Sequence, residues 1–141
     1  MTSLQNLKFY NLTPPAAKVN NASATVASLD CIGADYATII ISYGTTDIAA
    51  TVCKLQESDD NSTWVDITGG ALTPLPTSSD GTKQFVFYVD LKARKRYLNL
   101  VLTVGNGTTG SFLDVIGILG KLEQGVTDAT GRNVKANLLI L

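Results

Sequence analysis

The chain is 141 residues long, 45% apolar and only 16% charged, which predicts one globular domain with its own core. Eleven basic and twelve acidic side chains leave a net charge of −1, which excludes a whole-chain electrostatic attraction to nucleic acid or to a membrane surface. Histidine is absent, so histidine-dependent catalytic triads and histidine-bearing zinc sites are excluded as well.

Residues 1–21 are predicted to form an extended N-terminal arm. Apolar side chains that include Phe9 and Tyr10 stand ahead of the Pro14-Pro15 pair, a composition that suits an arm lying outside a compact body. We expect Phe9 and Tyr10 to contact a partner. The segment lacks the continuous apolar run of a secretory signal, so no signal peptide is expected.

Residues 22–125 are predicted to form the folded domain, because apolar and polar residues alternate there over short runs separated by turn residues. The clearest run places Phe85, Phe87 and Val89 in phase. Turn signals such as Asp80-Gly81 close the runs. The predicted strands cover residues 24–32, 36–43, 50–58, 63–68, 85–91, 97–104 and 112–122. Seven or eight strands at this spacing predict an all-β fold, a two-sheet antiparallel sandwich or jelly roll with extended N- and C-terminal arms.

Two segments of this domain depart from simple alternation. Residues 112–122 are apolar on both faces, which is typical of a strand that is covered on both sides or buried at a subunit contact. Residues 69–83 show no periodicity and are long for a hairpin connection, so they are predicted to form a surface arm or a contact loop. Leu75 in this loop is a candidate contact residue.

Residues 126–141 are predicted to form a C-terminal extension. The segment begins with a polar stretch and ends in four apolar residues that would be costly to leave in water. We expect them to pack against the chain's own sheet or against a neighbouring subunit. These candidate contacts are Leu138, Leu139, Ile140 and Leu141.

The two cysteines are predicted to be unbridged thiols buried in the core. Cys31 falls in phase with Leu29, and Cys53 falls in phase with Leu55. Free cysteine is among the residue types most often found buried. A disulfide remains the alternative for a secreted domain.

The acidic cluster at Glu57, Asp59, Asp60 and Asn61 is the best candidate for a metal site, because calcium binds several oxygen ligands in a tight loop. The remaining ligands and the glycine of an EF-hand loop are missing, so a solvated hairpin turn is favoured. No paired carboxylates come with a helper motif. We therefore predict no metal, no cofactor and no catalytic residue, and we expect that the chain is not an enzyme.

The basic run at residues 92–96 contains Arg94, Lys95 and Arg96. It is interpreted as a solvated turn between two strands, with contact to an acidic protein surface as the alternative. A short basic turn without interleaved aromatic residues is a poor platform for nucleic acid, so no nucleic-acid partner is expected.

Four aromatic residues could form a sugar-stacking platform, although packing in the core or at an interface is favoured. They are Tyr36, Trp64, Tyr88 and Tyr97.

An ordered set of segments between residues 14 and 125 resembles a family of jelly-roll decoration (cement) proteins from the capsids of tailed bacteriophages. The resemblance is a pattern of strands and turns without a catalytic signature, and it does not extend over residues 126–141. Its segments are Pro14-Pro15-Ala16-Ala17 and residues 24–29, 30–39, 44–48, 54–64, 94–98 and 116–120.

This resemblance implies a structural virion protein on the exterior of the capsid, assembled in the host cytoplasm. There it would bridge and stabilise subunits of the major capsid protein. It also implies a homo-oligomer, with a trimer favoured, and no membrane partner. The alternative hypothesis is a β-sandwich binding module, such as the carbohydrate- or receptor-binding domain of a phage fibre.

Overall fold

The computed structural model describes residues 7–120 and 134–140. This part of the chain forms ten strands and one single 3-10 turn at Leu91–Ala93. The strands are β1 (Lys8–Val19), β2 (Ala22–Ser23), β3 (Leu29–Asp30), β4 (Tyr36–Thr46), β5 (Ala50–Ser58), β6 (Val65–Ala71), β7 (Gln84–Asp90), β8 (Tyr97–Val104), β9 (Ser111–Gly120) and β10 (Val134–Ile140). The prediction of an all-β sandwich is confirmed.

The strands form two sheets packed face to face. The first sheet has the order β1-β9-β4-β7-β10, and the second has the order β2-β8-β5-β6 with β3 also paired to β8. We count β2 and β3 as one broken strand. Each connection along the chain from β1 to β9 then joins strands of different sheets, except the β5–β6 hairpin, which stays within the second sheet. That connectivity is the double Greek key of a jelly roll. All pairs are antiparallel except β7 with β10.

Alternation along the strands builds the core between the sheets. In β8 and β9 every second residue is buried, because successive side chains of a strand point to opposite faces. Phe85 and Phe87 of β7 are fully buried, and the Tyr43 ring meets Phe85 edge to face at a centroid distance of 5.6 Å. These inward positions match the phases predicted from the sequence.

Residues 24–32 do not form the single strand that their alternation predicts. Within this range only β3 is a strand, because the chain leaves the second sheet after β2, bonds to β1 of the first sheet, and returns to β8 at β3. The Ala24 N–H donates to the Leu102 carbonyl in the second sheet, whereas the Ala27 N–H donates to the Leu12 carbonyl in the first. Local alternation cannot reveal that neighbouring backbone groups pair with different sheets.

The predicted N-terminal arm is wrong for the described residues, since β1 is an edge strand of the first sheet. It pairs antiparallel with β9 from Lys8 opposite Leu119 to Val19 opposite Ser111. The register shifts twice between Asn11 and Ala17, around the Pro14-Pro15 pair. Proline lacks a ladder donor and is tolerated at such irregular edge positions, so the two prolines do not force this segment away from the body.

The C-terminal extension also joins the first sheet, where β10 pairs in parallel with β7. Ile140 is only 6% exposed and belongs to the core. Of the two partners predicted for this segment, the described residues use the chain's own sheet. The side chains of Leu138 and Leu139, and all of Leu141, lie outside the described residues.

The region predicted as a free arm or contact loop, residues 69–83, packs onto the body. Its first residues belong to β6, and beyond them Leu72 is 2% exposed. Asp80 is buried and its Oδ2 accepts from the Thr77 N–H at 2.8 Å, which closes the loop on itself. Leu75 is partly buried against the core, so it is not a freely projecting contact residue.

Candidate functional site

The basic run forms ion pairs with acids of the same chain. Arg96 donates from Nε and Nη2 to the two oxygens of Asp30, each at 2.9 Å. This bidentate contact lowers the pKa of the Asp30 carboxyl and raises the pKa of the Arg96 guanidinium. The same guanidinium lies 4.9 Å from the Tyr97 ring centroid.

The other two basic residues pair with acids at the end of β5 and in the turn that follows it. Arg94 lies 3.6 Å from Glu57, and the Lys95 ammonium lies 2.7 Å from Asp59. The Lys95 backbone N–H also donates to Glu57. These pairs give the run a structural role in tying two turns together. Contact between Arg94, Lys95 or Arg96 and an acidic partner stays a prediction.

The acidic hairpin turn is held by its own hydrogen bonds. Asp60 Oδ1 accepts from the N–H groups of Ser62 and Thr63 at 2.9 and 2.8 Å and from the Ser58 hydroxyl at 2.9 Å. These donors lower the Asp60 pKa. Within residues 7–120 and 134–140, no three cysteine or acidic side chains are grouped so that they could hold a metal ion. The turn matches the favoured interpretation of this cluster as a hairpin.

The aromatic residues do not assemble into one platform. Tyr36 and Tyr88 lie on the outward positions of the first sheet, whereas Tyr97 lies on an outward position of the second. Trp64 is half-buried beside the hairpin before β6. Stacking on a sugar requires rings on a common surface, so this geometry does not favour the sugar-stacking interpretation.

The prediction of buried, unbridged cysteines is confirmed. Cys31 is 6% exposed and Cys53 is 2% exposed. Burial raises the pKa of each thiol to about 12, so neither is a reactive thiolate near neutral pH.

We therefore expect native protein to resist labelling by the thiol reagent DTNB at pH 8. With a pKa of about 12, only about one thiol in ten thousand is ionised at that pH, and burial also blocks access. Absorbance should report two thiols per chain only after denaturation in guanidinium chloride. Rapid labelling of the native protein would show that these residues are accessible.

On the outer face of the second sheet, polar side chains form hydrogen bonds with one another. Asp66 accepts from Lys54 and from Gln56, each at 2.7 Å, and the hydroxyls of Ser23 and Thr103 share a hydrogen bond of 2.7 Å. This face therefore has the character of an ordinary solvated surface.

The outer face of the first sheet is different, and we name its centre the apolar face: Ile40, Val86, Tyr88, Ile116 and Ile118. Ile40 of β4 lies directly opposite Ile116 of β9 on one side and Val86 of β7 on the other. Phe9, which is 60% exposed, lies opposite Ile118 and extends the face toward β1. Val86 is only 4% exposed, and the other four side chains are partly exposed. An apolar sheet face of this kind is typical of a protein-binding surface.

A shallow, open groove of about 440 Å³ adjoins the apolar face at one end of β4 and β9. Ser42, Gly44, Phe112 and Asp114 contribute to its lining. Asp114 Oδ1 is shielded from water and has no hydrogen-bond donor in reach. Buried carboxylate oxygens are normally paired, so Asp114 Oδ1 is an exception among the polar atoms of this surface.

The sequence located part of this surface. The two-sided apolar character of residues 112–122 indicated a strand that is covered or in contact with a subunit, and Phe9 was a predicted contact residue. Tyr10, also predicted, is 37% exposed at the same edge strand. The sequence did not predict the residues that line the groove. They come from β4 and β9, and only the folded chain defines the register of these two strands.

Comparisons with protein families, curated proteins and solved structures find no match to this chain. Among the described residues, no helix is long and apolar enough to span a bilayer.

Proposed function

We propose that this chain is a structural virion protein that binds the outer surface of a tailed-phage capsid and stabilises it by bridging major capsid subunits. The observation that carries the proposal is the apolar face, a partly exposed sheet surface with Ile40, Ile116 and Ile118 at its centre. A surface of this kind loses unfavourable contact with water when it is pressed against a second protein.

The distribution of polar groups supports a binding role. Most carboxylates are used in holding the fold: Asp30 pairs with Arg96, and Asp47 caps the N–H groups of Thr109 and Gly110 at 2.7 and 2.8 Å. These contacts brace the turns at the ends of the sandwich. The rigid sheets between them then present a preformed surface, which lowers the ordering cost of association.

The jelly-roll order of the strands is compatible with the fold that the resemblance implies. In this proposal the protein sits on the exterior of the shell and acts as an oligomer, with a trimer expected. It assembles in the reducing host cytoplasm, a setting in which the two buried thiols stay unbridged.

The test is sedimentation with empty shells made from the major capsid protein of the phage that encodes the chain. We expect the purified protein to co-sediment with these shells and to reach a fixed number of bound copies per capsid subunit. Sedimentation equilibrium of the protein alone measures its oligomeric mass, for which a trimer is expected. A chain that stays in the supernatant at every concentration would contradict the proposal.

A further inference from the structure

The turn between β8 and β9 contains an asparagine that is followed directly by glycine, Asn106-Gly107. Asparagine is a chemically labile residue, and a following glycine favours its deamidation because glycine has no side chain to hinder the reaction. The Gly107 nitrogen loses its proton and bonds to Asn106 Cγ, while the Asn106 side-chain nitrogen leaves as ammonia. Water then opens the cyclic imide to aspartate or isoaspartate. Asn106 is exposed, so solvent reaches it.

The nitrogen that would attack is held by the side chain of Asn20, which directly follows β1. The Gly107 N–H donates to Asn20 Oδ1 at 2.8 Å, and Asn20 Nδ2 donates to the Gly107 carbonyl at 2.9 Å. We name this pair of hydrogen bonds the Asn20 clamp. While the clamp is closed, the Gly107 N–H keeps its proton on an acceptor, and the nitrogen is not free to turn toward Asn106 Cγ.

Packing around Gly107 opposes the reaction in a second way. A Cβ atom built at Gly107 would overlap Asp47 Oδ1 and would lie 2.9 Å from Ile48 Cβ. The Asp47 carboxylate is itself fixed, because it accepts from the N–H groups of Thr109 and Gly110. The backbone at Gly107 therefore has little room to move. Cyclisation requires this backbone to rotate, and isoaspartate adds a methylene group to the main chain.

We propose that Asn106 is a deamidation site that the Asn20 clamp keeps unreactive in the folded protein. This inference does not depend on the proposed function. Opening of the clamp frees the Gly107 nitrogen for attack on Asn106. The isoaspartate product shifts Gly107 along the chain and prevents the clamp from closing again. Deamidation would thus detach the turn between β8 and β9 from the end of β1, and the change would be permanent.

The test measures the rate of deamidation at Asn106 in the full-length purified chain. Samples are incubated at mildly alkaline pH, and peptide mass mapping with enzymatic detection of isoaspartate follows the reaction. The samples are native wild type, wild type in guanidinium chloride, and Asn20→Ala. Ser23→Ala is the matched control, because it removes an exposed hydrogen bond between β2 and Thr103 of β8 without removing a contact to Gly107.

We expect native wild type to deamidate at Asn106 at least about tenfold more slowly than the denatured chain, since opening must break both hydrogen bonds of the clamp. Asn20→Ala should react about tenfold faster than native wild type while circular dichroism shows that it remains folded. Ser23→Ala should react at the wild-type rate.

Two results would overturn the proposal. One is a folded Asn20→Ala variant that deamidates as slowly as the wild type, and the other is native wild type that reacts as fast as the denatured chain. If Asn20→Ala does not fold, amide hydrogen exchange of the wild type decides. A protected Gly107 N–H supports the clamp, whereas exchange at the rate of an unstructured amide contradicts it.

Discussion

Replacing Phe87 with alanine is expected to lower the free energy of unfolding by about 3–5 kcal/mol. Phe87 is fully buried on β7, and it lies opposite Ile39 of β4 and Leu138 of β10 in the backbone register. Removing the ring deletes apolar contacts and leaves a cavity that the two packed sheets cannot fully close. Because small domains are stable by only about 5–15 kcal/mol, the variant should lose a large part of its stability.

The matched control for this substitution is Phe9→Ala. Phe9 is the same residue type in the same sheet but is 60% exposed, so its loss should cost less than about 1 kcal/mol. Urea unfolding monitored by far-UV circular dichroism measures both variants. Equal destabilisation by the two substitutions would contradict the assignment of Phe87 to the core.

The second large effect is expected at the C-terminal strand. Ile140→Ala should lower the free energy of unfolding by about 2–4 kcal/mol, because Ile140 is only 6% exposed and belongs to the core. Deleting residues 137–141 should cost more than this substitution. The deletion also leaves the backbone groups on one side of β7 without their ladder partners.

Ile32→Ala serves as the control for Ile140, since Ile32 is 63% exposed. It should change the stability by less than about 1 kcal/mol in the same urea experiment. If Ile140→Ala behaves like Ile32→Ala, then β10 does not contribute to the core. In that case the alternative predicted from the sequence, contact of the C-terminal residues with a neighbouring subunit, would become the better explanation.

Strand positions were predictable wherever one face of a strand is buried and the other is not. β5 and β8 have the predicted bounds, because alternation with period two follows directly from the geometry of a half-buried strand. The alternation failed at residues 24–32, where the chain leaves the second sheet between β2 and β3 and contacts β1 of the first. It also did not reveal β1, since an edge strand with two register shifts has an interrupted pattern.

The charged residues were also only partly predictable from the sequence. The sequence displays a basic run and a cluster of acids, but not that Arg94 and Lys95 meet Glu57 and Asp59 across two turns. Pairing of this kind joins residues far apart in the chain, so a charge run that resembles a binding patch can be largely neutralised by the fold. Asp114 shows the reverse case. In the sequence it is an ordinary outward carboxylate, whereas in the structure its Oδ1 is buried and has no hydrogen-bond partner.

The sequence by itself determined the all-β class, the inward phases of the main strands and the burial of both thiols. Each of these follows from local periodicity and side-chain chemistry. Only the tertiary structure decided that β1 and β10 form the two edges of the first sheet, and that Ile40, Ile116 and Ile118 share one partly exposed face beside Asp114. Strand order and register join residues distant in the chain, and the free energy that selects them comes from packing of the whole sandwich.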